Sequence, residues 1–260
     1  MRQANESVCH RASTLSRIKR QQRGRVLSFL DTGPDKIGPN TLLTGLPREI
    51  SGRLLAGERA VTLAAGETLF ERGDAGDGCY WLRSGVVKVC VASDKGEQRI
   101  LAILGPGAIV GEMAMIDGLP RSASVQAVRA CELTFVSRAA FTEVLRQHPE
   151  LYADIVRTLA TRLRHSDEDM AASSFLTVRA RVARALMQFA QQLGEDAGDG
   201  LLAIPHRITQ SDLAAMAGVA RESVSRTLRD WKRNRLLERA SSTGYVVHKT
   251  KLEREAQAVE

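Results

Sequence analysis

Short apolar runs separated by turn residues fill the middle of the chain, between Val61 and Val136. Six β-rich runs occur there, at residues 61–63, 79–82, 86–91, 99–104, 124–128 and 132–136. Clusters of Gly, Asp, Ser and Pro separate them, at residues 72–78, 84–85, 93–96, 105–107 and 117–120. Strands and turns that alternate about every 8 to 12 residues are typical of an antiparallel roll or jelly roll. We therefore predict that residues 41–149 form a small roll that encloses one ligand.

After Pro149 the apolar residues follow a helical repeat. The seam advances in alternating steps of four and three residues through Tyr152, Val156, Leu159, Leu163, Ser166, Met170 and Ser173. This is the heptad repeat of a coiled coil. Such a seam could pack on the roll, but three heptads with Arg and Asp outside the seam favour a second copy of the chain. Residues 150–176 are therefore predicted to form a dimerisation helix.

Beyond Thr177 the pattern predicts a small helical domain that is closed by a hairpin. The apolar face of its first helix consists of Val182, Ala185, Leu186 and Phe189. A Gly/Asp loop follows at residues 194–200, and the turn at residues 241–244 lies between two short β-rich runs. This last segment is interpreted as a wing. We assign residues 177–248 to this domain and residues 249–260 to a C-terminal tail.

A helix-turn-helix is predicted inside this domain, around Gly218. Residues 209–212 form a capping box that opens a helix through Met216, and a second helix runs from about Arg221 to Lys232. The residues spaced to pack the two helices together are Leu213, Val219, Val224 and Leu228. The residues left to face outward are Arg221, Glu222, Ser223, Ser225, Arg226 and Arg229. The whole pattern predicts an α+β protein with a β-roll (jelly roll), a long dimerisation helix and a C-terminal winged helix-turn-helix.

Charge is concentrated at the two ends of the chain, whose net charge is +7. Residues 1–40 hold eight Lys or Arg against three Asp or Glu, and residues 178–260 hold fourteen against ten. Basic ends favour a polyanionic partner. Residues 1–40 have few regularly spaced apolar residues and are interpreted as a flexible extension, either a nucleic-acid-touching arm or an ordinary disordered tail.

Several classes of protein are disfavoured by what the composition lacks. No apolar run reaches the roughly 18 residues that a bilayer requires, so we expect a cytoplasmic protein without a membrane partner. The four cysteines, Cys9, Cys79, Cys90 and Cys131, form no Cys-x-x-Cys pair, which argues against a zinc finger or a disulfide scaffold. We expect them to be buried as small apolar side chains.

Two short motifs at residues 111–116 and 120–125 carry candidate ligand chemistry. A short helix that opens after Gly111 directs free N–H groups outward, Arg121 adds a bidentate fork, and Ser122 can donate a further hydrogen bond. The two motifs resemble the phosphate-binding cassette of cyclic-nucleotide-binding domains. The resemblance implies that Glu112 accepts from the ribose 2′-hydroxyl. The candidate ligand residues in this segment are Gly111, Glu112, Met113, Ala114, Arg121 and Ser122.

The motif at residues 221–226 closely resembles the recognition helix of the cyclic AMP receptor/FNR (Crp/Fnr) superfamily, Arg-Glu-Thr-Val-x-Arg. The resemblance covers about residues 41–248, and Ala220 departs from it by replacing the usual Ser at the helix start. Arg221 and Arg226 can each read guanine O6 and N7, and Glu222 can accept from cytosine N4. Ser223 and Arg229 are better candidates for phosphate contacts, and Ser225 faces the same way.

The resemblance also extends to the ligand's base and to the partners. Ser166 falls where the family's cyclic AMP receptor has a threonine that meets the adenine amino group, and Asp167 falls at a serine that the partner subunit supplies. A carboxylate at Asp167 accepts from the adenine amino group and equally from guanine N1–H and N2–H, so this residue leaves the base open. Cyclic AMP is the favoured ligand, with cyclic GMP as the alternative. The resemblance further implies a homodimer, a two-fold symmetric DNA site with TGTGA-like half-sites, and RNA polymerase as a partner.

The rival class is an enzyme, for instance a hydrolase that uses Glu112 with a histidine. The five histidines, at positions 10, 148, 165, 206 and 248, have no metal-ligand spacing and accompany no nucleophile motif, so we expect neither catalytic nor metal-binding residues and no cofactor besides the effector. Among regulators, a haem or redox sensor, another small-molecule sensor or ligand-free DNA binding stays open. A regulatory subunit of a cyclic-nucleotide-dependent kinase would share the roll but not the winged helix.

Overall fold

The computed structural model describes residues 59–206, 208–239 and 244–259, which lie in one compact unit. The proposed extension at residues 1–40, Cys9, His10 and the turn of the wing lie outside the described residues.

Two four-stranded antiparallel sheets form the roll, in the orders β1-β8-β3-β6 and β2-β7-β4-β5. Their strands are β1 (Arg59–Leu63), β2 (Thr68–Phe70), β3 (Gly78–Ser84), β4 (Val87–Ala92), β5 (Gln98–Leu104), β6 (Ile109–Val110), β7 (Ser124–Ala127) and β8 (Cys131–Ser137). All six predicted runs are strands, with ends that differ by at most two residues. The two strands without a counterpart in the prediction, β2 and β6, have three and two residues, which is too short for an alternating pattern to show.

A core of apolar side chains fills the space between the sheets. Its fully buried members include Leu82, Val87, Val110 and Leu133, which come from β3, β4, β6 and β8. Cys79, Cys90 and Cys131 are also buried, as expected for small apolar side chains, and form no disulfide. The helix α1 (Glu112–Asp117) lies between β6 and β7 along the chain, and it begins directly after Gly111 as predicted.

Two helices follow the roll. The first, α2 (Arg138–Gln147), was not predicted; it buries Phe141, Val144 and Leu145 against the roll. The second, α3 (Leu151–Phe175), confirms the long helix after Pro149. Its start is anchored because Leu151 and Ile155 join the cluster of apolar residues beneath α2.

The seam of α3 is exposed along its length in the single chain. Leu163 is 65 % exposed and Met170 is 70 % exposed. The exposed apolar residues of α3 are Tyr152, Val156, Leu159, Leu163, Met170 and Phe175. A row of large apolar side chains at heptad spacing on a helix surface is a surface that another helix can cover.

The C-terminal domain contains four helices and a four-stranded sheet of order β11-β12-β10-β9. Its elements are α4 (Val178–Leu193), β9 (Glu195–Gly198), β10 (Leu201–Ile204), α5 (Gln210–Ala217), α6 (Arg221–Arg233), β11 (Leu237–Arg239), β12 (Tyr245–His248) and α7 (Lys249–Glu255). The predicted helix-turn-helix and the hairpin of the wing are both present.

Two segments of this domain differ from the prediction. Residues 194–200, expected to be a loop, contain β9, an exposed edge strand that pairs with β10 around a tight turn. Residues 249–255, assigned to a tail, form α7, whose Leu252 is buried in the core of the domain. The tail assignment fails there because one buried leucine among charged residues carries too weak a helical pattern to be recognised locally.

Candidate anion pocket and nucleic-acid interface

Arg121 lies at the centre of the candidate ligand site. Its side chain comes from the loop before β7, and only 4 % of the residue is exposed. The Nη1 atom donates to the carbonyl oxygens of Gly78 at 2.8 Å and Gly111 at 2.5 Å, while the buried Nε has no hydrogen-bond partner. Burying a cation with an unpaired donor is costly, and such groups are typical of binding sites. The guanidinium therefore retains a donor for an anion.

Glycine allows the backbone to approach this guanidinium from two sides. Gly111 has φ +80°, a conformation that glycine adopts without strain, and a Cβ atom there would collide with Arg121. A Cβ atom on Gly76 would lie 2.7 Å from Cζ of Arg121. Both positions therefore require glycine if Arg121 is to keep this place.

Two aromatic rings complete the surroundings of Arg121. Its Cζ lies 4.4 Å from the ring centre of Phe70 and 5.9 Å from that of Tyr80. A cation over an aromatic face is stabilised by the ring quadrupole. Phe70, Tyr80 and Gly76 were not predicted, because nothing local in β2, in β3 or in the loop between them indicates that these residues face the cassette.

The other residues of the cassette lie around the same point. Glu112 is 4 % exposed and Ala114 is buried, whereas Met113 and Ser122 are exposed and the hydroxyl of Ser122 lies 3.6 Å from the sulfur of Met113. The neighbouring Cys79 is buried, which raises the pKa of its thiol to about 12, and the nearby charge of Glu112 adds to this effect. The thiol is therefore protonated at neutral pH and chemically inert.

Ser166 and Asp167 are both exposed on α3. They lie about 16 Å further along the helix than Ile155, which packs in the same cluster as Met115 of α1. The contact of this pair with the ligand stays a prediction.

The candidate nucleic-acid interface is one face of α6. Val224 and Leu228 are buried, whereas Arg221, Glu222, Arg226 and Arg229 are exposed and Ser223 and Ser225 are half-buried. An open depression on this face is lined by Gln210, Arg221, Glu222, Ser225, Arg226 and Arg229. Five of the six predicted residues thus share one surface. Ser223 does not line it, and Gln210, the first residue of α5, was missed.

The turn before α6 fixes how this face is presented. Thr209 and Asp212 form the predicted capping box at the start of α5, and Gly218 ends that helix with φ +64°. Ala220 caps α6 without a side-chain hydrogen bond, as its apolar side chain requires.

In the described part of the chain, no group of three or more His, Cys, Asp or Glu is arranged to hold a metal ion. No helix of that part is long and apolar enough to cross a membrane.

Two family models match the chain, in the order that the fold suggests. Residues 60–148 match a cyclic nucleotide-binding domain, and residues 180–255 match a Crp-like helix-turn-helix domain. The second match includes α7, which agrees with its burial in the core of that domain.

Similar proteins of known function are transcription regulators. A CRP-like cAMP-activated global transcriptional regulator of Mycobacterium tuberculosis is 33% identical over 171 residues, which are 66% of this chain and 76% of that protein. A cyclic AMP receptor protein of Thermus thermophilus is 38% identical over 163 residues, 63% of this chain and 72% of the relative.

Among solved structures, the CRP-family transcriptional regulator TTHB099 of Thermus thermophilus aligns with a TM-score of 0.64 and 26% identity. The alignment covers 77% of this chain and 98% of that one. These relatives belong to a family of DNA-binding regulators that is not enzymatic, so the hydrolase alternative fails. The chain belongs to the Crp/Fnr superfamily of transcription regulators.

Proposed function

We propose that this protein is a homodimeric transcription regulator whose binding to specific DNA is controlled by a cyclic nucleotide in the roll. The observation that carries the proposal is the guanidinium of Arg121, which is buried among glycine backbone and aromatic rings and has an unpaired Nε. A cyclic phosphate is an anion of suitable size and charge for it.

The proposed ligand contacts follow the chemistry of each residue. Arg121 and Ser122 donate to the phosphate, and Gly111, Met113 and Ala114 provide the backbone around it, while Glu112 accepts from the ribose hydroxyl. Ser166 and, from the partner subunit, Asp167 meet the base. Cyclic AMP is the favoured ligand because the relatives from Mycobacterium tuberculosis and Thermus thermophilus are a cAMP-activated regulator and a cyclic AMP receptor.

The exposed seam of α3 supports a dimer with two copies of α6. In this proposal the six outward residues of α6 enter successive major grooves roughly 34 Å apart, at half-sites that resemble TGTGA. The ligand controls DNA binding because it binds the DNA-competent arrangement of the dimer more tightly than other arrangements.

RNA polymerase is the proposed partner at the promoter, and the cytoplasm is the proposed location. The proposal also includes the division of the chain into a roll, a dimerisation helix and a DNA-binding domain.

Calorimetric titration of the purified protein with cyclic AMP and with cyclic GMP tests the effector. We expect saturable binding of cyclic AMP, with cyclic GMP weaker. Binding of neither nucleotide would refute the proposed effector, and a visible absorbance band in the same preparation would then favour a haem or redox signal.

Selection of DNA sites from a random pool, with and without the bound nucleotide and at fixed salt, tests the DNA-binding half of the proposal. We expect a palindrome with TGTGA-like half-sites that is enriched when the nucleotide is present. Selection of no palindrome under either condition would refute the assignment of α6 as the base-reading helix.

A further inference from the structure

A second arginine, Arg138, contacts the segments that surround Arg121 and belongs to neither sequence motif. It is the first residue of α2, after the N-cap Ser137, and the segment that it contacts is the glycine loop at residues 76–78. Its Nη2 atom donates to the carbonyl oxygen of Gly76 at 3.1 Å and also to that of Ala114 in α1. One guanidinium thus joins two segments that are about 40 residues apart in sequence.

One further hydrogen bond holds Arg138 in this place: its backbone N–H donates to the carbonyl oxygen of Asp77 at 2.6 Å. Its guanidinium also lies close to Gly118 at the end of α1, since a Cβ atom added there would lie 3.3 Å from Nη1. Its Nε is buried without a hydrogen-bond partner. A cation that binds one carbonyl oxygen of α1 and one of the glycine loop restricts how that helix can move relative to the loop.

The same two segments determine the position of Arg121. Gly76 lies directly against the guanidinium of Arg121 and against the side chain of Ala114, and Gly111 at the start of α1 accepts one of its hydrogen bonds. A shift of α1 away from the glycine loop would therefore change where Arg121 places its free N–H.

We propose that Arg138 is a positioning residue for the anion pocket, which sets the separation of α1 and the glycine loop and thereby aims Arg121. The inference rests on the proposed binding of a cyclic nucleotide, although Arg138 itself does not touch the ligand. Binding sites are most precise when outer contacts fix the residues that touch the ligand.

The test compares Arg138→Ala with Arg146→Ala by calorimetric titration with cyclic AMP. Arg146 is a matched control because it lies on the same helix, carries the same charge and is paired only with an exposed Glu143 in the described contacts. Loss of hydrogen bonds made by a charged group weakens binding by about 10- to 100-fold, which we expect for Arg138→Ala. Arg146→Ala should bind like the wild type.

A thermodynamic cycle with Arg121→Ala separates positioning from general support of the fold. If Arg138 acts through Arg121, adding Arg138→Ala to Arg121→Ala should cost less than about threefold, since coupled sites are not additive. A merely structural role would leave the affinity of the folded protein unchanged in both backgrounds. Arg138→Lys keeps a charged donor and should recover part of the affinity; it also replaces Arg138→Ala if that variant does not fold.

The outcomes separate the two proposals. If the wild type binds neither cyclic AMP nor cyclic GMP, the proposed function and this inference fail together. If the wild type binds, but Arg138→Ala, or Arg138→Lys in its place, retains full affinity, the inference fails alone. An additive loss in the cycle would likewise show that Arg138 does not act through Arg121.

Discussion

At the residue scale, Arg121 and Arg226 represent two different uses of a guanidinium. Arg121 is buried and held by backbone carbonyl oxygens, whereas Arg226 is exposed on a helix face with Arg221 and Arg229 nearby. A buried cation is specific because desolvation penalises every incorrect partner. An exposed cation contributes binding energy through its attraction to the polyanion that it contacts. Each use leads to its own test.

Replacing Arg121 with Ala should weaken the binding of cyclic AMP by about 2–3 kcal/mol, because a charge-assisted contact to the phosphate is lost. Calorimetric titration measures the effect. Arg129→Ala is the control, since Arg129 is an exposed cation elsewhere on the roll. Affinity equal to that of the control would exclude this pocket as the nucleotide site.

Replacing Arg226 with Ala should cost about 1–3 kcal/mol per half-site and relax the preference for its guanine. Arg229→Ala should instead weaken all sequences alike and flatten the salt dependence, because Arg229 is the proposed phosphate contact. Site selection with both variants at fixed salt distinguishes these patterns. An undiminished guanine preference in Arg226→Ala would mean that another residue reads that base.

At the scale of single elements, the exposed seam of α3 offers a surface to a second chain, and the docking of α7 completes the C-terminal domain. The seam has no cover in the single chain. Helix α7 is attached to α4 through Arg179, whose Nε and Nη2 donate to the two carboxylate oxygens of Glu255, both at 3.0 Å. Arg179 also lies 3.6 Å from Asp230 of α6, so three helices meet there.

Leu163→Glu should disrupt the dimer, because two carboxylates would face each other in an apolar seam. We expect the dimer dissociation constant to rise by at least about 100-fold, or roughly 3 kcal/mol. Sedimentation velocity checks this, with Arg164→Glu as the control that places the same charge beside the seam. If the Leu163→Glu variant remained a tight dimer, the dimer interface would have to lie elsewhere in the chain.

The pair of Arg179 and Glu255 predicts a dependence of stability on pH. The hydrogen bonds from Arg179 lower the pKa of Glu255 below its ordinary value, and the same pair raises the pKa of Arg179. The folded protein thus favours the carboxylate, so this stabilisation is complete above the ordinary carboxyl pKa and is lost as the pH falls through the lowered value.

Glu255→Gln should therefore reduce the free energy of unfolding at pH 7 by about 1 kcal/mol, a small value because the pair is partly exposed and screened. The difference from the wild type should shrink in acid, at pH values below the ordinary carboxyl pKa. Urea unfolding at several pH values measures both, with Glu253→Gln on the same helix as the control. A difference that did not change with pH would exclude the ionised pair as its source.

At the scale of the whole molecule, the roll and the DNA-binding domain share a continuous apolar core. Cys90 and Ile100 of the roll belong to the same buried cluster as Leu186 of α4 and Leu213 of α5. Beside this core, Nζ of Lys88 lies 3.3 Å from Oδ1 of Asp212, and the Lys88 side chain is only 14 % exposed. Asp212 also completes the capping box of α5, so the ion pair links β4 directly to the helix-turn-helix.

Removing this ion pair should weaken the binding of DNA sites that require a fixed arrangement of the roll and the DNA-binding domain. Lys88→Ala should bind a DNA duplex with two half-sites about fivefold more weakly, equivalent to about 1 kcal/mol, because each domain gains orientational freedom. Binding to a single half-site should not change, since α6 is untouched. Fluorescence anisotropy with both duplexes measures this, and Lys95→Ala, an exposed lysine in the β4–β5 turn, is the control. Equal losses on both duplexes would contradict the proposed role.

Local patterns predicted much of this molecule, including the six longer strands of the roll, the long helix, the capping box and the wing. Apart from α2, the elements that they missed are short or have little apolar character of their own. The exposed strand β9 forms only because β10 offers it an edge, and α7 is recognisable only from the groove that buries Leu252. In both places the partner, rather than the segment, supplies the stabilising energy.

The sequence by itself determined most of the longer elements and their order, the motif that contains Arg121 and the outward face of α6, since periodicity, capping and short motifs act between residues close in the chain. Only the tertiary structure decided which distant residues meet. Phe70 and Gly76 reach Arg121 from about 50 residues away, and Arg138 joins Gly76 to Ala114. These contacts depend on the order in which strands pair across two sheets, and that order leaves no periodic mark on any single strand.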